Sequence, residues 1–337
     1  MKTTLKTLCE LPGVSGREEA VRKYIVDTLA AIDTEKQIIV DPMGNVICKL
    51  KGEKPANKTL LLCAHMDEVG LIITSITNDG FLKFENIGGV NEAVLCGKRV
   101  KIGEITGVVG CKAIHLCNKE EKEKIPKKKA LVIDIGVSGE KAKKLVKPGD
   151  IATFDTPFVD LQTLVMGKAI DDRIGCVLLL ELAKKKPLYD ITLAFTVQEE
   201  VGTRGAGPVA FAVAPDIAIT VETTTAADIA DVPDENRVCT VGGGPVLSFM
   251  DLRTLYDANL YAQIRSIADE NNIPNQTKSV VSGGNDAGTV QRTANGTRVA
   301  AISVPCRYLH SASCVSSMTD AENTKKLLEL LVEVLPQ

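Results

Sequence analysis

The 337-residue chain contains no tryptophan, and aromatic residues make up only 4% of it. It therefore offers few platforms on which a sugar ring could stack, and this disfavours a glycosidase. No apolar run approaches the roughly 20 residues that a membrane-spanning helix needs. The first twelve residues lack the apolar core of a secretory signal, so the sequence predicts a cytoplasmic protein without membrane partners.

Neither sign of charge dominates the chain, whose formal net charge is -3. There is accordingly no electrostatic reason to expect nucleic acid or an anionic membrane surface as a partner. Ten cysteines are present, but no two have the Cys-x-x-Cys spacing. Most of them lie in apolar stretches, as Cys63 and Cys176 do, which predicts buried and reduced thiols.

Predicted strands and helices alternate in two parts of the chain, 1–69 and 166–337. A nearly continuous apolar run at 59–64 is typical of a buried strand in a parallel sheet. Further strands are predicted at 191–197, 217–221 and 299–304, each beside a predicted helix. This alternation indicates an α/β fold, in which a sheet is sandwiched by helices.

The segment 70–165 has a different character, with short β-like runs broken by glycine and lysine-rich loops. Such a pattern predicts a small inserted β domain, either a sandwich or a barrel. The charged loops are interpreted as solvated surface rather than as a site for a polyanion.

Two local signals precede the insertion. Ser15 and Glu18 have the spacing of a capping box, which predicts a helix that starts there. The turn residues at 41–45 separate two apolar segments and predict a β-hairpin.

Ionisable residues collect where the predicted strands end, the place at which open α/β sheets build their sites. The chain has only three histidines, and two of them follow predicted strands. The third, His115, lies in the insertion and is interpreted as structural. The ionisable residues of interest at these ends are His65, Asp67, Asp171, Glu199, Glu200, Glu222 and His310. Imidazoles and carboxylates suit zinc, cobalt or manganese, bound as a pair with one carboxylate bridging.

Two spacings within this set have structural consequences. Residues two apart on an extended segment point the same way, so Asp67 can fix the tautomer of His65 by a hydrogen bond. Glu199 and Glu200 are adjacent and would diverge on a regular strand. Gly202 and Gly205 follow them and allow an irregular backbone that aims both carboxylates inward.

The motifs at these strand ends resemble the glutamyl/deblocking aminopeptidase family of dinuclear metallopeptidases. Members of that family assemble into tetrahedral (TET) particles and are sometimes labelled endoglucanases. The similar segments are 41–46, 64–70, 167–173, 198–202 and 307–311, together with Gly88 and Gly89. The resemblance covers nearly the whole chain, including the insertion. It implies a catalytic domain of residues 1–69 and 166–337, in which helices sandwich a mixed sheet, and a β-barrel-like inserted domain at 70–165.

The resemblance implies two divalent metal ions per subunit, zinc or cobalt ahead of manganese. The implied ligands are His65 and Glu222 for one ion, His310 and Glu200 for the other, and Asp171 bridging both. Glu222 departs from the family, because many relatives carry aspartate at this position.

The same resemblance implies catalytic roles for two further residues. Asp67 would orient His65, and Glu199 would be the general base that activates water. The expected function is removal of N-terminal residues from peptides with a free N-terminus. The expected assembly is a tetrahedral homododecamer whose subunit contacts are made by the insertion.

Three other functions compete with this hypothesis. A deacylase or other amidase could use the same dinuclear site, because fold and metals do not fix the substrate. A glycosidase needs two carboxylates flanking the scissile bond and does not need two metals. A metal-stabilised assembly protein without activity would not require Glu199.

Overall fold

The computed structural model describes residues 1–337 and contains nine α-helices and seventeen β-strands. The helices are α1 (Lys2–Glu10), α2 (Glu19–Ala31), α3 (Lys119–Lys122), α4 (Gly139–Leu145), α5 (Ile170–Ala183), α6 (Ala206–Val213), α7 (Ala258–Glu270), α8 (Ala287–Val290) and α9 (Met318–Val334). None of these helices combines the length and the apolar character needed to cross a membrane.

The strands divide between one large sheet and one barrel. They are β1 (Lys36–Val40), β2 (Val46–Leu50), β3 (Leu60–His65), β4 (Gly70–Ile76), β5 (Leu82–Ile87), β6 (Arg99–Ile102), β7 (Ile105–Gly110), β8 (Val132–Asp134), β9 (Ile151–Phe154), β10 (Val159–Leu161), β11 (Leu164–Gly167), β12 (Ile191–Thr196), β13 (Ile217–Thr225), β14 (Val246–Leu247), β15 (Gln276–Thr277), β16 (Arg298–Arg307) and β17 (Cys314–Ser317).

The large sheet has eleven strands, nine of them in the order β1-β2-β12-β3-β13-β16-β17-β11-β10. The four central strands β12, β3, β13 and β16 run parallel to one another. The outer pairs are antiparallel, and β14 pairs with both β15 and β16. The predicted mixed sheet is confirmed, and its parallel centre brings four carboxyl ends to the same edge.

Helices cover both faces of this sheet. The side chains of Leu60 and Leu62 in β3 join the larger core, which packs against α1, α2, α5, α7 and α9. Leu61 and Cys63 point to the opposite face and join the smaller core beneath α6 and α8. This alternation follows the two-residue period of a strand, and it explains why the whole of β3 is buried.

The remaining six strands close into a barrel in the order β4-β5-β8-β7-β6-β9. Leu71, Val100 and Ile133 belong to a core of its own, separate from the cores of the large sheet. The predicted barrel-like insertion is thereby confirmed as part of the fold. Residues 159–161 and 164–167, within or at the end of the predicted 70–165 segment, pair in the large sheet instead. The division into a catalytic and an oligomerisation domain stays a prediction.

The predicted hairpin at 41–45 is confirmed, because β1 and β2 pair in register from Val40 and Val46 outward. The predicted capping box is wrong. Helix α2 begins at Glu19, and no side chain caps its amino end. The Ser15 hydroxyl instead donates to Asp67 Oδ2 at 2.6 Å, across 52 residues of chain. A long-range partner has replaced the local one.

The cysteines follow the prediction only in part. All ten are free thiols, and seven are buried. Cys96 and Cys111 are exposed, and Cys117 is half-buried. All three lie in the barrel segment.

Candidate metal centre

The predicted site residues converge at the carboxyl edge of the four parallel strands. His65 is the last residue of β3, and it lies opposite Thr196, the last residue of β12. Glu222 lies within β13, and His310 follows the end of β16. Parallel pairing therefore explains why residues far apart in sequence share one place.

Asp171 enters from the amino end of α5. Its backbone is not helical there, with φ -79° and ψ 110°, and the Asp171–Asp172 peptide bond is cis. Its Oδ1 lies 3.4 Å from His65 Nε2, and its Oδ2 lies 3.5 Å from His310 Nε2. The carboxylate thus stands between the two imidazoles, with one oxygen towards each.

Each imidazole also faces a second carboxylate. His65 Nε2 lies 3.7 Å from Glu222 Oε2, and His310 Nε2 lies 3.2 Å from Glu200 Oε2. The ligand-type atoms of His65, Asp171 and Glu200 also lie within 4.8 Å of one another. The two halves of the site are therefore one continuous cluster that shares Asp171.

Asp67 is the hydrogen-bonding centre behind this cluster. Its Oδ1 accepts the amide of Glu199 at 3.0 Å, and its Oδ2 accepts the amide of Glu200 at 3.1 Å. Oδ2 also accepts the Ser15 hydroxyl, while Oδ1 lies 3.4 Å from His65 Nδ1. The backbone carbonyl of Asp67 is slightly nearer that nitrogen, at 3.2 Å. Burial would raise the pKa of the Asp67 carboxyl, but these partners lower it.

The loop after β12 aims Glu199 and Glu200 into the site. Gln198 and Thr203 have positive φ values of 56° and 55°, so the backbone is not a continued strand. The irregular backbone expected from the nearby glycines is therefore present. Glu200 faces His310, whereas the Glu199 carboxylate makes no hydrogen bond or ion pair with another residue. Burial raises the pKa of Glu199 well above its ordinary value.

The cluster carries more negative than positive charge. Burial, and next the charge of Asp171, raises the pKa of Glu200 to about 7. Burial would lower the pKa of His310, but Asp171 and Glu200 raise it to about 10. Burial and the nearby carboxylate of Asp172 also raise the pKa of Glu222, although His65 opposes them. In physical terms, the carboxylates repel one another and attract any positive charge.

The cluster fits divalent cations. Glu222 is buried, and its Oε1 has no hydrogen-bond partner in the structure. A buried anionic oxygen without a partner costs free energy, and a cation would remove that cost. Imidazole nitrogens and carboxylate oxygens are also the donor set that zinc, cobalt and manganese accept.

Sequence reasoning missed three residues beside the cluster. Asp172, the neighbour of Asp171, accepts a hydrogen bond from the amide of His65 at 3.3 Å, and its carboxylate lies close to the ligand-type atoms of His65 and Glu222. Asp286 is fully buried and accepts the Thr196 hydroxyl at 2.6 Å. It precedes the short helix α8, which no periodic pattern marks. The third is Ser15. Its contact with Asp67 was missed because the capping-box spacing suggested a local partner.

Gly88 and Gly89 close one side of the site. The Gly89 carbonyl lies 3.3 Å from His310 Nδ1, and a Cβ added at Gly89 would lie 2.9 Å from the same atom. Gly88 has φ +79°, and a Cβ there would approach Val69 to 2.7 Å. Neither position leaves room for a side chain, so the backbone itself contacts the imidazole.

Comparison with known proteins identifies relatives over the whole chain. The family model described as M42 glutamyl aminopeptidase matches residues 44–327. Lysyl aminopeptidase of Pyrococcus furiosus is 33% identical over 352 residues, which cover 98% of this chain and 96% of that protein.

Two solved structures are also similar. Aminopeptidase APDkam598 from the archaeon Desulfurococcus kamchatkensis has a TM-score of 0.92 at 33% identity, covering 98% of this chain and 94% of its own. The Pyrococcus horikoshii TET1 peptidase has a TM-score of 0.85 at 35% identity, covering 99% of each chain. Its description states that it can assemble into a tetrahedron or a large octahedral shell.

The Ser15–Asp67 hydrogen bond can be tested by mutation. Ser15→Ala removes a donor from a buried carboxylate, and hydrogen bonds to charged groups contribute about 1.5–3 kcal/mol. We expect the free energy of unfolding to fall by roughly this amount, and the bound divalent metal to decrease as the loop at 199–200 loosens. Chemical denaturation and elemental analysis of the purified variant measure both quantities.

Thr324→Val is a matched control for Ser15→Ala. It removes another buried hydroxyl, whose 2.8 Å hydrogen bond ends on the backbone carbonyl of Asp320 within α9. Its loss should cost only about 0.5–1.5 kcal/mol and leave the metal content unchanged. Equal destabilisation by both variants, with metal retained in both, would contradict the role given to Ser15.

Proposed function

Because the chain belongs to the M42 glutamyl aminopeptidase family, we propose that it hydrolyses N-terminal residues from peptides at a centre of two divalent metal ions. The observation that carries this proposal is Asp171, whose two oxygens face two different imidazoles. A carboxylate in that position suits two ions better than one. The expected cytoplasmic location is part of the same proposal.

The ligand set is divided between the two ions by proximity. His65 and Glu222 would hold one ion, His310 and Glu200 would hold the other, and Asp171 would bridge them. Each imidazole lies within 4 Å of its partner carboxylate, and this pairing supports the division. Zinc or cobalt suits these donors, and manganese is also compatible with them.

When bound, two such ions would lower the pKa of a water molecule and polarise the scissile carbonyl. The chain itself would handle the proton. Glu199 accepts it from the attacking water and returns it to the leaving amine. The absence of any partner for the Glu199 carboxylate supports this role, because an ion-paired carboxylate would be a weaker base.

Asp67 has a positioning role in this mechanism. By accepting the amides of Glu199 and Glu200, it fixes the backbone that presents the base and one ligand. Its contact with His65 Nδ1 leaves Nε2 directed at Asp171 and Glu222. A single buried carboxylate thereby orients the last residue of β3 and two residues of the loop after β12.

Excess negative charge favours substrates with a free N-terminus. A peptide carries an ammonium group at that end, and the carboxylates around the site attract it. An N-acylated substrate lacks this charge. The same feature separates the proposed aminopeptidase from a deacylase that uses an equivalent site.

This preference predicts the outcome of a paired assay. A peptide with a free N-terminus should be shortened one residue at a time, whereas its N-acetylated form should be cleaved at least 100-fold more slowly. Mass spectrometry of the products over time measures both rates. Faster hydrolysis of the acetylated form, or cleavage within the peptide, would contradict the proposal and favour the deacylase or an endopeptidase.

Neutral substitutions of the adjacent residues Glu199 and Glu200 should have different effects on kcat and on metal content. Glu199→Gln keeps the size of the side chain but cannot accept a proton, so kcat should fall roughly 10²–10⁴-fold while both metals stay bound. Glu200→Gln removes an anionic ligand, so metal loss should accompany inactivity and added metal should partly restore activity. Metal content and kcat are measured for each variant.

The conclusion depends on both measurements together. If Glu199→Gln lost metal while Glu200→Gln retained it, the two roles would be reversed. If neither substitution changed kcat or metal content, neither residue would have the role proposed for it.

We also propose that the barrel mediates self-association into a tetrahedral homododecamer. Ile114, Leu116 and Ile125 on the barrel segment have exposed fractions of 66%, 63% and 57%. Exposed apolar side chains of this size favour burial against another chain. The Pyrococcus horikoshii relative, whose description names a tetrahedral assembly, supports the same expectation.

Light scattering coupled to gel filtration tests this assembly. The wild-type protein should elute with the mass of twelve 36.0-kDa chains. Leu116→Asp should shift the population to smaller species, because a charge would then be buried at the contact. Phe211→Asp is a control at an exposed apolar residue outside the barrel and should not change the mass. A fully active wild-type monomer would contradict the proposal.

A further inference from the structure

Two exposed cysteines lie against each other on the barrel. The sulfur atoms of Cys96 and Cys111 are 2.8 Å apart, although both residues are free thiols. A disulfide bond is about 2.05 Å long, so a movement of less than about 1 Å would join the two atoms. No other pair of cysteines in the chain combines such a short separation with exposure of both side chains.

Backbone pairing holds the two thiols together. Strands β6 and β7 form a hairpin that is in register from Arg99 and Val108. Beyond that pair, the Gly97 amide donates to the Val109 carbonyl at 2.8 Å, and the Val109 amide donates to the Lys98 carbonyl at 2.8 Å. Cys96 and Cys111 therefore lie just beyond the last backbone hydrogen bonds of the hairpin. These hydrogen bonds keep the two cysteines close together.

The other cysteines differ in accessibility and therefore in reactivity. Burial raises the pKa of Cys9 to about 12, and it also raises the pKa of Cys176. Buried thiols of this kind react slowly, because the thiolate is the nucleophile. Cys117 is half-buried, and its sulfur lies near the backbone carbonyls of Lys112 and Ala113 rather than near another thiol.

The pair also stands at one end of a segment that reaches the metal centre. Gly89 contacts His310 through its carbonyl, and the Asn86 side chain holds the carbonyl of Val90 at 2.9 Å. The chain then forms a short 3-10 helix, Glu92–Val94, and buries Leu95 in the barrel core. Cys96 follows directly, so a bond from Cys96 to Cys111, the residue after β7, would fix the far end of this segment.

We propose that Cys96 and Cys111 form a reversible disulfide within one chain, which restrains residues 88–96 beside the metal centre. The oxidant is a low-molecular-weight disulfide such as oxidised glutathione. One cysteine thiolate attacks that disulfide, forms a mixed disulfide and releases one molecule of the small thiol. The second cysteine thiolate then attacks the protein sulfur of the mixed disulfide and releases a second molecule. Two cysteine thiols are oxidised, one small disulfide is reduced to two thiols, and the protons of the cysteines pass to those products.

The experiment oxidises the purified full-length protein with oxidised glutathione and maps its peptides. Wild-type protein should lose two hydrogen atoms per chain and yield one cross-linked peptide pair containing Cys96 and Cys111. Dithiothreitol should reverse both changes. Hydrogen exchange of amides 88–96 should be slower in the oxidised form, at least several-fold, whereas exchange in α9 should not change.

Matched serine variants identify the partners. Cys96→Ser and Cys111→Ser should each retain a mixed disulfide with glutathione, because the resolving thiol is missing. Cys117→Ser removes the third accessible cysteine of the barrel and should still form the cross-link. A stable mixed disulfide on the wild-type protein, or cross-links only between different chains, would overturn the pairing. Unchanged exchange at 88–96 in cross-linked protein would overturn the restraint.

Discussion

Asp67 is the constraint on which the rest of the site depends. It is completely buried, yet it accepts hydrogen bonds from Ser15 and from the amides of Glu199 and Glu200, and it faces the imidazole of His65. A buried carboxylate is stable only when donors surround it. These donors come from three separate segments, so satisfying one charge aligns the amino-terminal turn, the end of β3 and the loop after β12.

The large sheet brings the site residues to a common edge. Four parallel strands end side by side, and the residues at this edge include two imidazoles and several carboxylates. Glu222 retains an unpartnered buried oxygen in this arrangement. The carboxylates therefore cluster at the carboxyl edge of the parallel strands, and a bound divalent cation would neutralise part of their charge. The membership of the M42 family accords with this chemistry.

Sequence analysis could predict the sheet and the barrel, because apolar runs and glycine-broken segments are local signals. It could also predict that His65, Glu222 and His310 lie in one cluster, since each lies at or after the end of a predicted strand. It could not predict Ser15 and Asp286 in the same way, because their importance comes from partners 52 and 90 residues away. The contact between Cys96 and Cys111 was missed for a related reason, since it depends on hairpin pairing rather than on a Cys-x-x-Cys spacing. At each of these residues the important contact is a tertiary one, which a local sequence pattern does not reveal.

The central proposal is that Asp171 would bridge two metal ions, each held by a separate histidine–carboxylate pair. Anomalous diffraction from crystals grown with zinc, measured on either side of the zinc absorption edge, tests this claim directly. The account predicts two peaks in each chain. One should lie between His65, Glu222 and Asp171, and the other between His310, Glu200 and the second oxygen of Asp171. A single peak, or two peaks of which one does not contact Asp171, would contradict it.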